Sequence, residues 1–464
     1  MNIQEGFGSI SPSELIELRK ALAFNTPTPA TGGEGYGWPL VPQDIEAVLA
    51  MATIRAKQIR FYQAIPKPDE LLGSAVYEYT RQQEIGYDVE PFVTEGVLPF
   101  EHVSQYKREF TRAKYMATLR RVTDVMASVN TIGGADAVTR ESVNGTIHLL
   151  AQVERGLFHA DESLNPAAFN GVFATIRNQF AENIVDLRGA EMSVDTCLEL
   201  TAQLVNPPRY AFPQAMWLSP SALVSLGKES TSQLLYFADP TNPQQYRPAV
   251  GALPRGFMGA HGEMVVYEPD IFLEPEFPRS EASVGDAPEQ TFSVTPAVVD
   301  PGPGETSQFA AGDAGDYIYG VAAVGPGGRS AIAKTAAQTV AAGKKVTLTI
   351  AKTGGSVNDI TYYQVFRTRK GETKLWLIGG IAYNGGVASV TFSDLNDEIA
   401  GTSKALILEY DPTVIQFKRL LPLIRIPFAK IDLSVRFAVA LFGMPVIETP
   451  TKILCIKNIA STQK

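Results

Sequence analysis

The chain has 464 residues, 45% apolar and 19% charged, which is the balance of a packed globular protein with material for about two to four domains. A formal net charge of -9 excludes nucleic-acid binding through the whole surface, which needs a basic footprint, while leaving local basic stripes open. Cys197 and Cys455 are the only cysteines; they lie far apart in apolar runs and read as buried free thiols, not as a disulfide or a metal site.

The N-terminus MNIQEGFGSI lacks the basic flank and apolar run of a secretion signal. The longest apolar run, Phe437 to Ile447, is broken by Gly443 and Pro445 and is too short to span a bilayer. The expectation is a soluble protein that folds in a cytoplasm. Ser11-Pro12-Ser13-Glu14 starts a helix, with Ser11 as N-cap and Pro12 in the first position, running to about Ala23. Asn25 to Pro42, rich in Pro, Gly and Thr, reads as an extended arm. Gly33, Gly35 and Gly37 follow no strand and precede Trp38-Pro39, so a flexible arm explains them and a nucleotide loop does not. Gln43 to Gln58 reads as a second helix.

From Leu72 to Val125 the pattern becomes that of strands. SAVYEYTRQQ and QYKREFTRAKYMATLRRV alternate large and polar residues, with Gly86, Pro91, Gly96 and Pro99 in the segment between them. This predicts a long hairpin with a broad tip. The first part carries Asp69, Glu70, Glu78, Glu84, Asp88, Glu90, Glu95 and Glu101 against Arg81. The second carries Lys107, Arg108, Arg112, Lys114, Arg120 and Arg121 against Glu109 and Asp124. Either the arms neutralise each other across the ladder, or an acidic tip reaches a basic surface on another copy. A hairpin of that length cannot bury both faces alone and needs another body to lie on.

Thr131 to Ala160 is the stretch around which the rest of the chain is organised. Val138, Thr146, Leu149, Leu150, Val153 and Leu157 recur at helical spacing, with Arg140, Glu141, Asn144, His148, Gln152 and Arg155 on the other side. A helix from about Asp136 to Ala160 would be roughly 35 to 40 Å long. After it come a turn with a short helix in DESLNPAAFNGVFATIRNQ, a strand in ENIVDLRG and a helix from Ser193 to Leu204. A buried strand, Ala215 to Leu218, a helix capped at Ser219-Pro220 and a strand pair around Gly259 to Gly262 complete a mixed α+β body. PEFPRSEASVGDAPEQ is a linker. From Thr291 to about Ser403 the apolar runs are short, β-branched and bounded by Gly, Asn or Asp, which predicts an all-β sandwich of roughly 110 residues. The strands of the body resume afterwards, so this unit is an insertion.

The order of these parts resembles the major capsid proteins of tailed bacteriophages, the Hong Kong 97-like fold. The phrases LFHADESLNPAAFNGVFATIRN, ENIVDLRGAEMSVDTCLELTAQL and RFAVALFGMPVIETPTKILCIKNI are similar to that family as well. The resemblance implies an N-terminal arm at 1–66, an extended-loop hairpin at 67–125 and a peripheral domain with its spine helix at 126–182. It implies an axial domain at 183–283 and return strands at 405–464. The phrases DYIYGVAAVGPGGRSA, ITYYQVFRTRKGETKLWLIGG and SVTFSDLNDEIAGTS make 284–404 resemble an immunoglobulin or fibronectin type III-like domain with its strand order changed, either by permutation or by borrowing a first strand from the flank. The implied function is self-assembly into hexamers and pentamers of an icosahedral head around double-stranded DNA. The implied partners are the chain itself, scaffolding, portal and decoration proteins, and packaged DNA held non-specifically on the inner face, with no membrane. The implied location is the virion, after assembly in the host cytoplasm.

Some members of the family weld subunits by an isopeptide bond from an extended-loop lysine. Here no lysine lies between Lys67 and Lys107, so no crosslink is expected. The arm begins almost at once, so any scaffolding segment is expected to be short or a separate protein. A phage tail or adhesin component, or a carbohydrate-binding protein with an accessory sandwich, are the alternative readings.

No catalytic, cofactor or metal residue is assigned, and no enzyme is expected. His102, His148, His159 and His261 lack ligand spacing. Cys197, among Val194, Leu198 and Leu200, reads as core and not as a nucleophile. Asp394, Asn396, Asp397 and Glu398 could offer oxygens to calcium, though a turn closing a strand explains them too. Tyr362, Tyr363, Phe366 and Trp376 read as core more than as a sugar platform.

Overall fold

The computed structural model describes residues 54–86, 92–99, 101–129, 136–234, 254–288, 291–354, 360–383, 385 and 387–462. The helix expected at Ser11 to Ala23, the glycine-rich arm and all but the end of the Gln43 to Gln58 helix lie outside the described residues; of that last helix, Ala56–Gln58 is a 3-10 turn.

The rod helix runs Ala137–His159, within a residue of its expected ends. Leu149, Val153 and Leu157 are buried, as their four-residue spacing requires. The buried arc is wider than one stripe, since Gly145, Ala151, Glu154 and Phe158 are buried too. Strands press on it closely: a Cβ at Gly145 would stand 3.2 Å from Val439 and 3.3 Å from Arg120. At its far end Gly171 lies against the terminal carbonyls, where a Cβ would meet Gly156 O at 2.6 Å.

The rod helix lies on a three-stranded antiparallel sheet in which Ser434–Ile447 pairs on one side with Ile415–Pro427 and on the other with Lys114–Thr123. This corrects the expectation of one continuous second arm. The run splits at Ala113, which is buried and donates its N–H to Ala75 O at 2.8 Å. Only Gln105–Arg112 pairs with Val76–Glu84 as a hairpin. Alternation sets which face of a strand is apolar and says nothing about which strand lies beside it.

The body sheet has the order Ile184–Asp186, Ile453–Ile459, Ser403–Leu408, Ala215–Leu218, Met264–Pro269, Gly256–Met258. Its central strands are apolar on both faces because both are covered. Ala215, Trp217, Leu406 and Cys455 join the core under the rod helix. Met216, Leu218, Ile407 and Ile456 join Leu200, Leu204 and Leu226 of helices Val194–Val205 and Pro220–Leu234. Both helix starts are capped, the second as expected: Ser193 Oγ accepts from Thr196 N at 3.1 Å, and Ser219 Oγ from Ala222 N at 3.2 Å.

Strands on either side of residues 284–402 are members of this one sheet, so the segment between them is inserted into the body. Strands and one 3-10 turn, Ala311–Asp313, make up its regular structure among the described residues. It has its own core, with Tyr319, Val321, Leu348, Tyr363, Val365 and Trp376. It is tied to the body as well. Arg188 donates to Gln308 O at 2.7 Å and Asn396 O at 2.8 Å, and buried Asn458 accepts from Ile399 N and donates to Asp397 O, each at 2.8 Å. Arg188, Asn396 and Asn458 all have left-handed backbone, with φ of 50°, 62° and 56°, a conformation Asn tolerates better than most residues. Arg155 grips Glu276 at the neck through two bonds of 2.5 Å.

Candidate assembly interface

The hairpin is anchored at its root and free at its tip. Tyr77, Tyr79 and Arg81 alternate onto the side facing the body. Tyr79 is buried with Met444 and Val446, and its hydroxyl donates to Ile447 O at 3.2 Å. Arg81 Nε donates to Glu448 O at 2.6 Å and Nη2 to Gln179 at 3.1 Å. Beyond Arg81 the described residues of the loop are exposed, with Gly86 and Ser104 partly covered. Ile85 is 84% exposed, Phe92 82% and Leu98 90%, with Val93, Val97 and Val103 also open to solvent. A turn at Glu95-Gly96 shapes the tip: Val97 N donates to Thr94 O at 3.1 Å, and Gly96 takes the positive φ, 83°, that a side chain would resist. Exposed apolar side chains gathered in one loop are the composition of an interaction surface.

The charges do not cancel across the ladder. Among the described residues one ion pair crosses it, Arg108–Glu78 at 3.5 Å, with both side chains exposed. The other cations of the second arm are engaged elsewhere: Lys107 with Glu109 along its own strand, Lys114 with Glu162, Arg120 with Glu141 and Arg121 with Asp432, while Arg112 lies over the Phe110 ring. Glu84, Glu95 and Glu101 of the tip are exposed and, among the described residues, form no ion pair. A second apolar surface stands at the far end of the three-stranded sheet. There Phe428, Ile431, Leu433, Val125 and Met126 are exposed around Asp432, which binds Arg121 at 2.9 Å and also holds Arg436.

No protein-family model matches the chain. It is 24% identical over 428 residues to the protein assigned as major capsid protein in Enterococcus phage phiEF24C, covering 89% of this chain and 88% of that one. It is 32% identical over 71 residues, 15% of either chain, to the major capsid protein of Staphylococcus phage K. By sequence it is similar to these phage major capsid proteins. Among solved structures it is similar to the capsid of a native GTA particle, with a TM-score of 0.47 at 8% identity over 94% of this chain and 100% of the other. It is also similar to the capsid of cyanophage P-SCSP1u, with a TM-score of 0.45 at 9% identity over 97% and 99%.

The residues weighed for chemistry have structural partners. Cys197 is buried against Met216, and burial pushes its thiol up to about 12, far from a nucleophile's range. Asp394 is buried and bound by Arg367 at 2.5 Å and by the Tyr319 hydroxyl at 2.8 Å, while Asn396 accepts from Arg367 at 2.7 Å. Lys457 takes Asp397 and Lys404 takes Glu398, so cations occupy the oxygens considered for calcium. Tyr363, Phe366 and Trp376 are buried, as core residues should be, and Tyr362 is partly covered. His159 is buried, stacks on Phe173 and bonds Phe272 O at 2.8 Å; burial and Lys404 push it down to about 4. His148 sits half-covered on the rod, its pKa lowered by burial and by Arg120.

Two residues that sequence reasoning passed over carry much of the architecture. Arg367 shares a face with Tyr363 and Val365 in the strand Tyr362–Thr368, and its inward position was readable from the alternation. Glu154 is fully buried on the rod helix. Its one signal was its place directly after Val153 in the apolar stripe.

Proposed function

We propose that this chain is the shell subunit of a tailed-phage head with Hong Kong 97-like architecture, assembling as hexamers and pentamers around double-stranded DNA. The observation that carries this reading is the hairpin Val76–Arg112, whose root is fixed by Tyr79 and Arg81 and whose apolar, acidic tip is left exposed by the described residues. Each contact alone is weak, and a closed shell engages all of them at once. The tip lies on an adjacent copy, the arm at 1–66 wraps another, the body at 183–283 lines the capsomer centre, and 126–182 with 405–464 forms the periphery. Residues 284–404 are an immunoglobulin-like sandwich on the outer surface. Scaffolding, portal and decoration proteins are the further partners, and DNA is met non-specifically on the inner face. Assembly takes place in the host cytoplasm, the shell is the virion's, and subunits are not welded by an extended-loop isopeptide bond. No step of catalysis is involved.

Negative-stain microscopy of the purified chain, alone and co-expressed with the neighbouring assembly proteins of its own genome, tests this. Closed particles or capsomer rings are expected. A chain that stays monomeric in every combination sinks the reading.

A further inference from the structure

Glu154 accepts the backbone N–H groups of Arg60 and Phe61 at Oε1 and of Tyr62 at Oε2, each at 2.6 Å. One carboxylate on the rod helix therefore satisfies the orphan donors that open the short helix Phe61–Ala64. Phe61 completes the joint by stacking on Phe158, ring centroids 4.5 Å apart. Asp270, at the end of the body strand Met264–Pro269, is equally buried. Its Oδ1 accepts from Phe272 N at 2.8 Å, its Oδ2 has no partner, and it faces the Glu154 carboxyl.

Both oxygens of Glu154 are already acceptors, so two buried carboxyl groups in contact hold together only with a proton between them. Asp270 Oδ2, buried and without a partner, is the position open to such a proton. Two cations act on the pair from outside that position, Arg60 on Asp270 and Lys67 on Glu154. Arg60 points at Pro269 O, 3.1 Å away, and at Glu268. Lys67 and Arg419 face each other beside Tyr62, and Tyr410 stands by Glu268 and Arg60.

We propose that Glu154 and Asp270 form a proton-held latch that fastens residues 60–62, where the N-terminal segment enters the fold, to the rod helix and the body strand together, and that the latch tightens as pH falls. It stands independently of the shell reading. Burial, with the Glu154 charge beside it, pushes the Asp270 carboxyl up to about 8. Released into solvent the same group titrates near about 4. Between those values the latched state holds one more proton than the open one. Its advantage is therefore complete below about pH 4 and is lost as pH rises toward 8, at up to about tenfold per pH unit.

Hydrogen exchange on the full chain between about pH 5 and 8, corrected for intrinsic rates, tests this at the Arg60, Phe61 and Tyr62 amides. Protection should fall with rising pH by up to about tenfold per unit, while amides of Ala215–Leu218 stay flat. Asp270→Asn, whose amide donates to Glu154 without titrating, should flatten the profile. A flat wild-type profile, or an unchanged slope in the variant, overturns the proposal. If Asp270→Asn does not fold, infrared spectra of the wild-type protein decide. A protonated-carboxyl band at neutral pH that disappears on alkalinisation supports the latch, and no such band at neutral pH refutes it.

Discussion

Replacing Phe92 and Leu98 together by serine separates folding from assembly. The two side chains are 82% and 90% exposed in the single chain, so the isolated subunit loses almost nothing and its unfolding free energy should change by less than about 0.5 kcal/mol. In a shell where the tip is covered, burial of each side chain contributes about 1.5–3 kcal/mol. Losing both weakens association by about 3–6 kcal/mol per subunit, which raises the concentration needed for assembly by at least about a hundredfold. Light scattering and sedimentation across a concentration series read the assembly threshold, and thermal melting of the unassembled subunit reads the fold. Tyr79→Ala at the root is the contrasting variant: it removes a buried ring packed on Met444 and Val446 and should lower the melting temperature of the subunit itself. Particles forming at the wild-type threshold in the double serine variant would refute the assignment of the tip as the assembly contact.

The buried Arg367, bound by Asp394, Asn396 and Glu398 O, makes Arg367→Ala costly: three acceptors lose a donor and Asp394 its cation, and calorimetry should show a loss of about 3–5 kcal/mol. Asn458→Ala removes four bonds at the junction, to Ile399, Thr402, Asp397 and Asp186, and limited proteolysis should then cut near the neck of the insertion before the body. Cys197 and Cys455 are buried with both thiols pushed up, so a thiol reagent should label neither in the folded chain at neutral pH and both after denaturation. His159, held near 4 against an unfolded value of about 6.5, binds its proton more readily unfolded. Its contribution to stability is complete above about pH 6.5 and is lost as pH falls toward 4; its ring resonances in NMR should not titrate between about pH 8 and 6.

Local periodicity was enough to place the rod helix within a residue of its ends, because Leu149, Val153 and Leu157 repeat at the helical spacing wherever the helix lies. The helix start at Ser193 and the capped start at Ser219 were legible for the same reason: a cap is a bond between neighbours in the chain. The shift to short β-branched runs after residue 290 was legible in the same way, and the described residues there form strands. What the chain order could not settle was partnership between distant segments. Gln105–Arg112 and Lys114–Thr123 share one alternating pattern, yet one pairs with Val76–Glu84 and the other with Ser434–Ile447. Nor could it show that, among the described residues, Arg108 alone meets an acid across the hairpin, or that Glu154 would be drawn inward by three amides some ninety positions earlier. A side chain's own periodicity fixes which way it faces; the charge or strand it meets there depends on packing between segments far apart in the sequence, and that is settled only when the chain closes on itself.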